Sequence, residues 1–149
     1  MELSSTYTFN APREHVWAML IDPHIVAGCL PGCDSMEPVG EDTYRAVLTV
    51  GIAAVSGQYE GTVQIADQQP PERYRMVVNG KGRAGFVKGE ATVSLDASTD
   101  DSTQTVVTVS GRGQVGGMIA RVGQRLLGSV SKTMMDRFFD CLAQKVGAS

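Results

Sequence analysis

From Thr43 to Gly113 the chain alternates apolar or small residues with polar ones, and beyond Gly117 the spacing lengthens to three and four. A strand sends successive side chains to opposite faces, whereas a helix gathers residues three and four apart on one face. A chain that makes this switch once, after five alternating runs, is committed to an antiparallel meander with one buried face, followed by a long helix. Thr43 to Ile52 places Tyr44, Ala46, Leu48 and Val50 on that face. Val55 to Ile65 adds Val55, Gly57, Tyr59, Gly61, Val63 and Ile65, and Arg73 to Gly80 adds Tyr74, Met76, Val78 and Gly80. Gly85 to Asp96 contributes Gly85, Val87, Gly89, Ala91, Val93 and Leu95, and Thr105 to Gly113 contributes Thr105, Val107, Val109, Gly111 and Gly113. Polar or Gly/Pro segments, as at Asp67 to Pro71 and Ser98 to Ser102, separate the runs. From Gly117 to Val146 a stripe of Ile119, Val122, Leu126, Val130, Met134, Phe138 and Leu142 predicts one helix, about 45 Å long at 1.5 Å per residue.

The segment ahead of the sheet is shorter and mixed. Thr6 to Phe9 reads as a strand. Pro12 to Ile21 reads as a short helix, because proline is tolerated in a first turn and Val16, Trp17 and Leu20 follow at helical spacing. Asp22-Pro23 ends it, Pro23 to Leu30 forms a second short helix, and Pro31-Gly32 turns the chain. The 149 residues suit one domain, 1–149. The expected fold is α+β of the helix-grip kind. A curved antiparallel sheet of about six to seven strands wraps around a long C-terminal helix, with two short helices after the first strand.

The inward face is unusual in holding seven glycines: Gly57, Gly61, Gly80, Gly85, Gly89, Gly111 and Gly113. Glycine weakens a strand and packs nothing, and a solid core would place branched side chains there. Two physical readings stay open. One is a hollow between sheet and helix; the other is close approach of the helix, or sharp bending of the sheet at those points. The same face carries no Asp, Glu, Lys, Arg or His, and its polar members are Tyr44, Tyr59, Tyr74 and Thr105. Such a lining favours an apolar ligand oriented by a hydroxyl or two, and it offers no general base. The expected ligand contacts are Tyr44, Leu48, Tyr59, Gly61, Val63, Tyr74, Met76, Gly89 and Ala91, then Val107, Val109 and Gly111. The final helix adds Val122, Leu126, Val130 and Met134. A bulky residue at Gly61 or Gly89 is expected to block that ligand without unfolding the chain. The plain alternative for each tyrosine is a core aromatic with its hydroxyl at the rim.

Other chemical candidates are weak. Cys29-Leu30-Pro31-Gly32-Cys33 has three residues between its cysteines where a thioredoxin-like motif has two, and no second Cys/His pair completes a zinc site. Met1 to Ser5 lacks a basic region followed by an apolar run, so no secretion signal is expected. The three cysteines are then expected as reduced thiols in a cytoplasmic protein. His15 and His24 lack a nucleophile context and read as surface or capping residues. Gly111-Arg112-Gly113-Gln114-Val115-Gly116 matches G-x-G-x-x-G by letter, but no βαβ unit surrounds it. The net charge of -3 gives no nucleic-acid footprint, and Lys81, Arg83 and Lys88 read as a solvated loop. No run of 18 apolar residues spans a membrane, which leaves peripheral contact open. No catalytic residue, metal site or cofactor is expected.

Several motifs resemble the carbon monoxide dehydrogenase G-subunit family. They are Pro12-Arg13-Glu14-His15-Val16-Trp17 with Asp22-Pro23, Leu30-Pro31-Gly32-Cys33, Tyr59-Glu60-Gly61, Thr105-Val106-Val107-Thr108-Val109, Val115-Gly116-Gly117 and Phe138-Phe139. That family belongs to the START/polyketide-cyclase-like superfamily, whose fold is the helix-grip. The resemblance implies an accessory protein for a molybdenum-containing carbon monoxide dehydrogenase or related hydroxylase, and it implies no catalytic residues. Combined with the apolar face, it leads to a non-enzymatic binder of a lipophilic, quinone-like molecule. Two alternatives stand beside it: a ligand-free assembly factor for that enzyme, and a cyclase- or hydratase-type enzyme relying on Tyr59 or Tyr74 with a rim charge such as Arg75 or Lys88.

Overall fold

The computed structural model describes residues 2–51, 55–97 and 103–147. β1 (Glu2–Phe9) leads into α1 (Arg13–Leu20) and α2 (Pro23–Cys29), and β2 (Cys33–Gly40) and β3 (Thr43–Val50) follow. β4 (Gly57–Gln69), β5 (Arg73–Gly82), β6 (Gly85–Ala97) and β7 (Thr105–Gly116) complete one seven-stranded sheet. Its order is β1-β7-β6-β5-β4-β3-β2, and every neighbouring pair is antiparallel. A 3-10 segment (Gly117–Val122) then precedes α3 (Gln124–Gly147). This is the expected α+β helix-grip layout, with both short helices after the first strand. Ile52 and the predicted turn at Ser98 to Ser102 lie outside the described residues.

Local chemistry explains most boundaries. The Asp22 carboxylate accepts from the His24 backbone N–H and caps α2, with Pro23 in the first turn. The expected single helix from Gly117 to Val146 is corrected to a 3-10 segment and a 24-residue α-helix, about 36 Å long. The break is Gly123, whose φ of 89° lies in the left-handed region where a right-handed helix cannot continue. β2 went unrecognised in the alternation. It is an edge strand whose side chains are mostly exposed, it contains Pro38, and its pairing with β3 shifts register twice. Gly111 to Gly116 lies wholly within β7, paired with β6, so the G-x-G-x-x-G letters form no phosphate-binding turn.

Two packed regions hold the layers together. The larger joins Phe9, Trp17, Leu20, Tyr74, Val93, Leu95, Val107, Phe139 and Leu142, so β1, α1, the far ends of β5 to β7 and the second half of α3 meet there. Leu142 and Val107 are fully buried, and each such side chain contributes about 1.5–3 kcal/mol. Trp17 meets Tyr74 edge-on at 5.4 Å, and Tyr7 stacks on Phe139 at 4.2 Å. The smaller region gathers Val55, Ile119, Leu127 and Val130 at the opposite end, with Val87, Val115 and Val122 against them.

One expectation about chemistry is overturned here. Cys29 and Cys141 form a disulfide that ties the end of α2 to α3, with Cα atoms 5.4 Å apart, while Cys33 remains a free thiol. The reading of all three as reduced thiols missed this, because only the fold sets two cysteines 112 residues apart at disulfide distance.

Candidate functional site

The alternation assigned the inward positions correctly on every strand it covered. Residues of that parity, and not their neighbours, supply the sheet's share of both packed regions. Tyr74, Met76, Ala91, Val107 and Val109 lie in or against the larger region. Tyr59, Val122, Leu126, Val130 and Met134 lie in or against the smaller one. Between these ends Tyr44, Leu48, Val63 and Val78 join neither region and are only half-buried, although they face inward. Two cross-strand rows run through this middle. One is Tyr44, Val63, Val78, Gly89 and Gly113; the other is Ala46, Gly61, Gly80, Val87 and Val115. Gly111 borders them, opposite Ala91. The backbone of α3 comes closest to β1, α2 and the 3-10 segment rather than to these central strands.

The glycines do not all do the same work. A Cβ on Gly61 would stand 2.0 Å from the Asn79 carbonyl oxygen, and one on Gly111 would stand 2.8 Å from that of Glu90. The crowding comes from the neighbouring strand, not from the helix, so at these two positions glycine permits tight coiling of the sheet. The expectation that a bulky residue at Gly61 leaves the fold intact is therefore corrected. Gly80, directly opposite Gly61, is different: a Cβ there would meet nothing nearer than the Glu60 carbonyl oxygen at 3.9 Å.

Two of the inward hydroxyls, those of Tyr59 and Thr105, are committed. Tyr59 donates to the Val55 carbonyl at 2.7 Å, and burial pushes its phenol above the ordinary range. Tyr74 is 5% exposed within the larger core, and burial raises its pKa strongly. Thr105 donates to the Ala11 carbonyl at 2.7 Å.

A polar contact that the alternation did not reveal lies along β1. The Tyr7 hydroxyl donates to Asp136 Oδ1 at 2.7 Å, and Lys132, one helical turn earlier, donates to the same carboxylate at 2.9 Å. Burial, then the Asp136 hydrogen bond, pushes the Tyr7 phenol up to about 12. The Lys132 ammonium first, and then Tyr7, holds Asp136 below its usual range. The i,i+4 pairing of Lys132 and Asp136 was visible in sequence, but its partner on the first strand was not. Tyr7→Phe is expected to lower stability by about 1 kcal/mol, read from urea denaturation, since it removes one hydrogen bond to a charged group while keeping the ring on Phe139. An unchanged midpoint would show that the contact does not persist in solution.

Among the described residues no group of His, Cys, Asp and Glu could hold a metal ion, and no buried side-chain polar atom lacks a partner. A depression of about 440 Å³ on the outer face is lined by Arg75, Glu90 and Arg112, whose charges satisfy one another: Arg75 pairs with Asp67 and Glu90, and Arg112 with Glu90. No described helix is long and apolar enough to cross a membrane.

A single antiparallel sheet curved against a long C-terminal helix, with an uncharged inward face, defines a START-like helix-grip protein. A START superfamily protein from Mycobacterium smegmatis has the same fold, with a TM-score of 0.76 at 10% identity over 99% of this chain and 97% of that one. Residues 6–147 match the model of the carbon monoxide dehydrogenase G-subunit (CoxG) family, and the chain belongs to that family. It is also similar to a conserved protein from Geobacillus kaustophilus, with 36% identity and a TM-score of 0.95 over 100% of this chain and 97% of that one. No curated protein matches the chain.

Proposed function

We propose that the chain carries a lipophilic small molecule between its two packed ends, in the service of a molybdenum-containing carbon monoxide dehydrogenase or related hydroxylase. The observation that carries this reading is the half-buried middle of the inward face. Leu48, Val63 and Val78 face the helix layer there without belonging to a packed region, beside glycines and Ala46. A face of this composition recognises its ligand by shape and apolar contact. The role is non-enzymatic, because the inward sheet positions supply no carboxylate, imidazole or ammonium, and the Tyr59 hydroxyl is already bonded to Val55. Family membership supports the choice of partner. Oxidation of carbon monoxide releases two electrons that an acceptor must take, and a quinone-like ring is an apolar two-electron acceptor. The proposed compartment is the cytoplasm, where a disulfide such as Cys29–Cys141 would be uncommon.

The test is mass spectrometry of an organic extract of the purified protein beside a matched control protein. A stoichiometric apolar compound is the expected result, and it would name the ligand class. An empty extract would favour the ligand-free assembly factor, and a pull-down of the partner enzyme would then decide.

A further inference from the structure

One end of the molecule is cationic and apolar together. Neither Arg73 to Gly89 nor Gly113 to Met135 contains an Asp or Glu, in a chain whose net charge is -3. The fold brings these two stretches into contact. The Ile119 backbone N–H donates to the Ala84 carbonyl at 2.7 Å, pinning the 3-10 segment to the β5–β6 hairpin. Phe86 pairs with Gly116 across the sheet, and its ring lies over that glycine. The hairpin brings Lys81, Arg83 and Lys88 to this end. Arg121 closes the 3-10 segment, and Arg125 follows in the first turn of α3. None of the five forms an ion pair among the described residues. Two acids border them: Glu60 stands opposite Lys81 and is engaged by Arg45, and Glu90, two residues beyond Lys88 on β6, is engaged by Arg75 and Arg112. Set among these cations are two large apolar side chains in water: Phe86 is 43% exposed and Met118 64% exposed. The Lys88 ammonium sits 5.9 Å from the centre of the Phe86 ring.

We infer that this end docks on the surface of an anionic phospholipid bilayer, with the five cations at the phosphates and Phe86 and Met118 in the interfacial zone. Charge complementarity selects the occupant. A bilayer touched by one end meets five unpaired cations, the bordering acids being already engaged by arginines, and acids farther than about 10 Å from it are screened at ordinary salt. A long polyanion lying across the whole body would instead meet a net negative protein. Exposed aromatic and thioether side chains cost little when they enter the headgroup boundary, and each adds buried apolar area. Lys81 and Lys88, expected in a solvated loop with Arg83, lie on β5 and β6 with Arg83 in the turn between them, and Arg121 and Arg125 join them only through the fold. Docking of this end does not depend on the proposed ligand, and its test is read without one.

The measurement is co-sedimentation of the purified chain with phosphatidylcholine vesicles, with and without phosphatidylglycerol, at low and high salt. Binding is expected only to the anionic vesicles and is expected to weaken as salt rises. Arg83→Glu with Arg121→Glu should lower affinity at least about 30-fold. Phe86→Ser with Met118→Ser should lower it about tenfold while keeping the salt dependence. Arg137→Glu with Lys145→Glu, an equal charge change on α3 outside this end, should leave binding unchanged. None of the altered residues belongs to either packed region, and circular dichroism checks the fold of each variant. Absence of binding to anionic vesicles, or equal loss in the α3 control, overturns the inference. Capture of double-stranded DNA as tightly as vesicles at the same salt also overturns it, and assigns the patch to polyanions at large.

Discussion

Gly80→Leu is expected to give a folded protein whose organic extract holds at least about tenfold less of the apolar compound carried by the unaltered chain. Gly80 and Gly61 are directly opposite each other on β5 and β4, and both face inward. Their surroundings differ enough to separate ligand binding from folding. The nearest atom to a Cβ on Gly80 is a carbonyl oxygen at 3.9 Å, so a leucine there extends into the half-buried middle of the face, where a ligand would lie. Glycine also weakens a strand interior, so filling this position should leave stability within about 1 kcal/mol of the parent. A Cβ on Gly61 would overlap the backbone of β5, with Asn79 oxygen at 2.0 Å and Gly80 Cα at 2.7 Å. Backbone in a paired strand cannot withdraw without breaking its ladder, so Gly61→Leu should cost more than about 3 kcal/mol and yield little folded protein. Gly89 is intermediate, with the Arg112 carbonyl oxygen at 3.3 Å from its would-be Cβ, and is the poorer choice for a clean test. Thermal denaturation reads the folding half of this contrast, and extraction of the folded fraction reads the other. A folded Gly80→Leu protein with full ligand content would remove the middle of the face from consideration as the binding place.

The same pair of glycines shows what the sequence could and could not convey. Alternation fixed the inward parity of five strands, because a shift by one residue would turn every apolar side chain to water. Composition then showed an inward face without charge. Neither property states how near the adjacent strand's backbone runs, so Gly61 and Gly80 looked alike in sequence and differ in the structure. β2 was invisible for a related reason. An exposed edge strand has no buried face to impose a pattern, and Asp34, Ser35, Glu37 and Pro38 read as loop. The apolar stripe from Ile119 to Leu142 remained continuous through Gly123, which hid the change from 3-10 to α-helix. Contacts that join distant stretches, such as Tyr7 with Asp136, Cys29 with Cys141 and Ile119 with Ala84, leave no periodic trace.

Reducing the Cys29–Cys141 bond is expected to lower stability by about 3–5 kcal/mol. The bond closes a loop of 112 residues, nearly the whole sheet, so its main effect is to restrict the unfolded chain. In the chain-entropy description a loop of that size corresponds to nearly 5 kcal/mol, and residual structure in the unfolded chain brings the observed figure below it. Cys29 is 5% exposed and belongs to the larger packed region, and Leu142, beside Cys141 in sequence, is fully buried. Opening the bond therefore leaves two small thiols in a packed setting rather than a cavity, and the reduced protein should stay folded. Urea denaturation with and without dithiothreitol measures the difference, and Cys141→Ser should match the reduced form. Cys33 is the internal control. It is unpaired, and burial raises its thiol pKa, which slows its exchange with the bond. Cys33→Ser should thus shift stability by no more than about 0.5 kcal/mol in either redox state. Coincident urea transitions for the oxidised and reduced protein would show that the two sulfurs do not pair in solution. Because the bond lies in the larger packed region and not among the half-buried central residues, reduction should leave ligand content unchanged. A fall in content on reduction would instead mean that the α2–α3 junction governs access to the middle of the face.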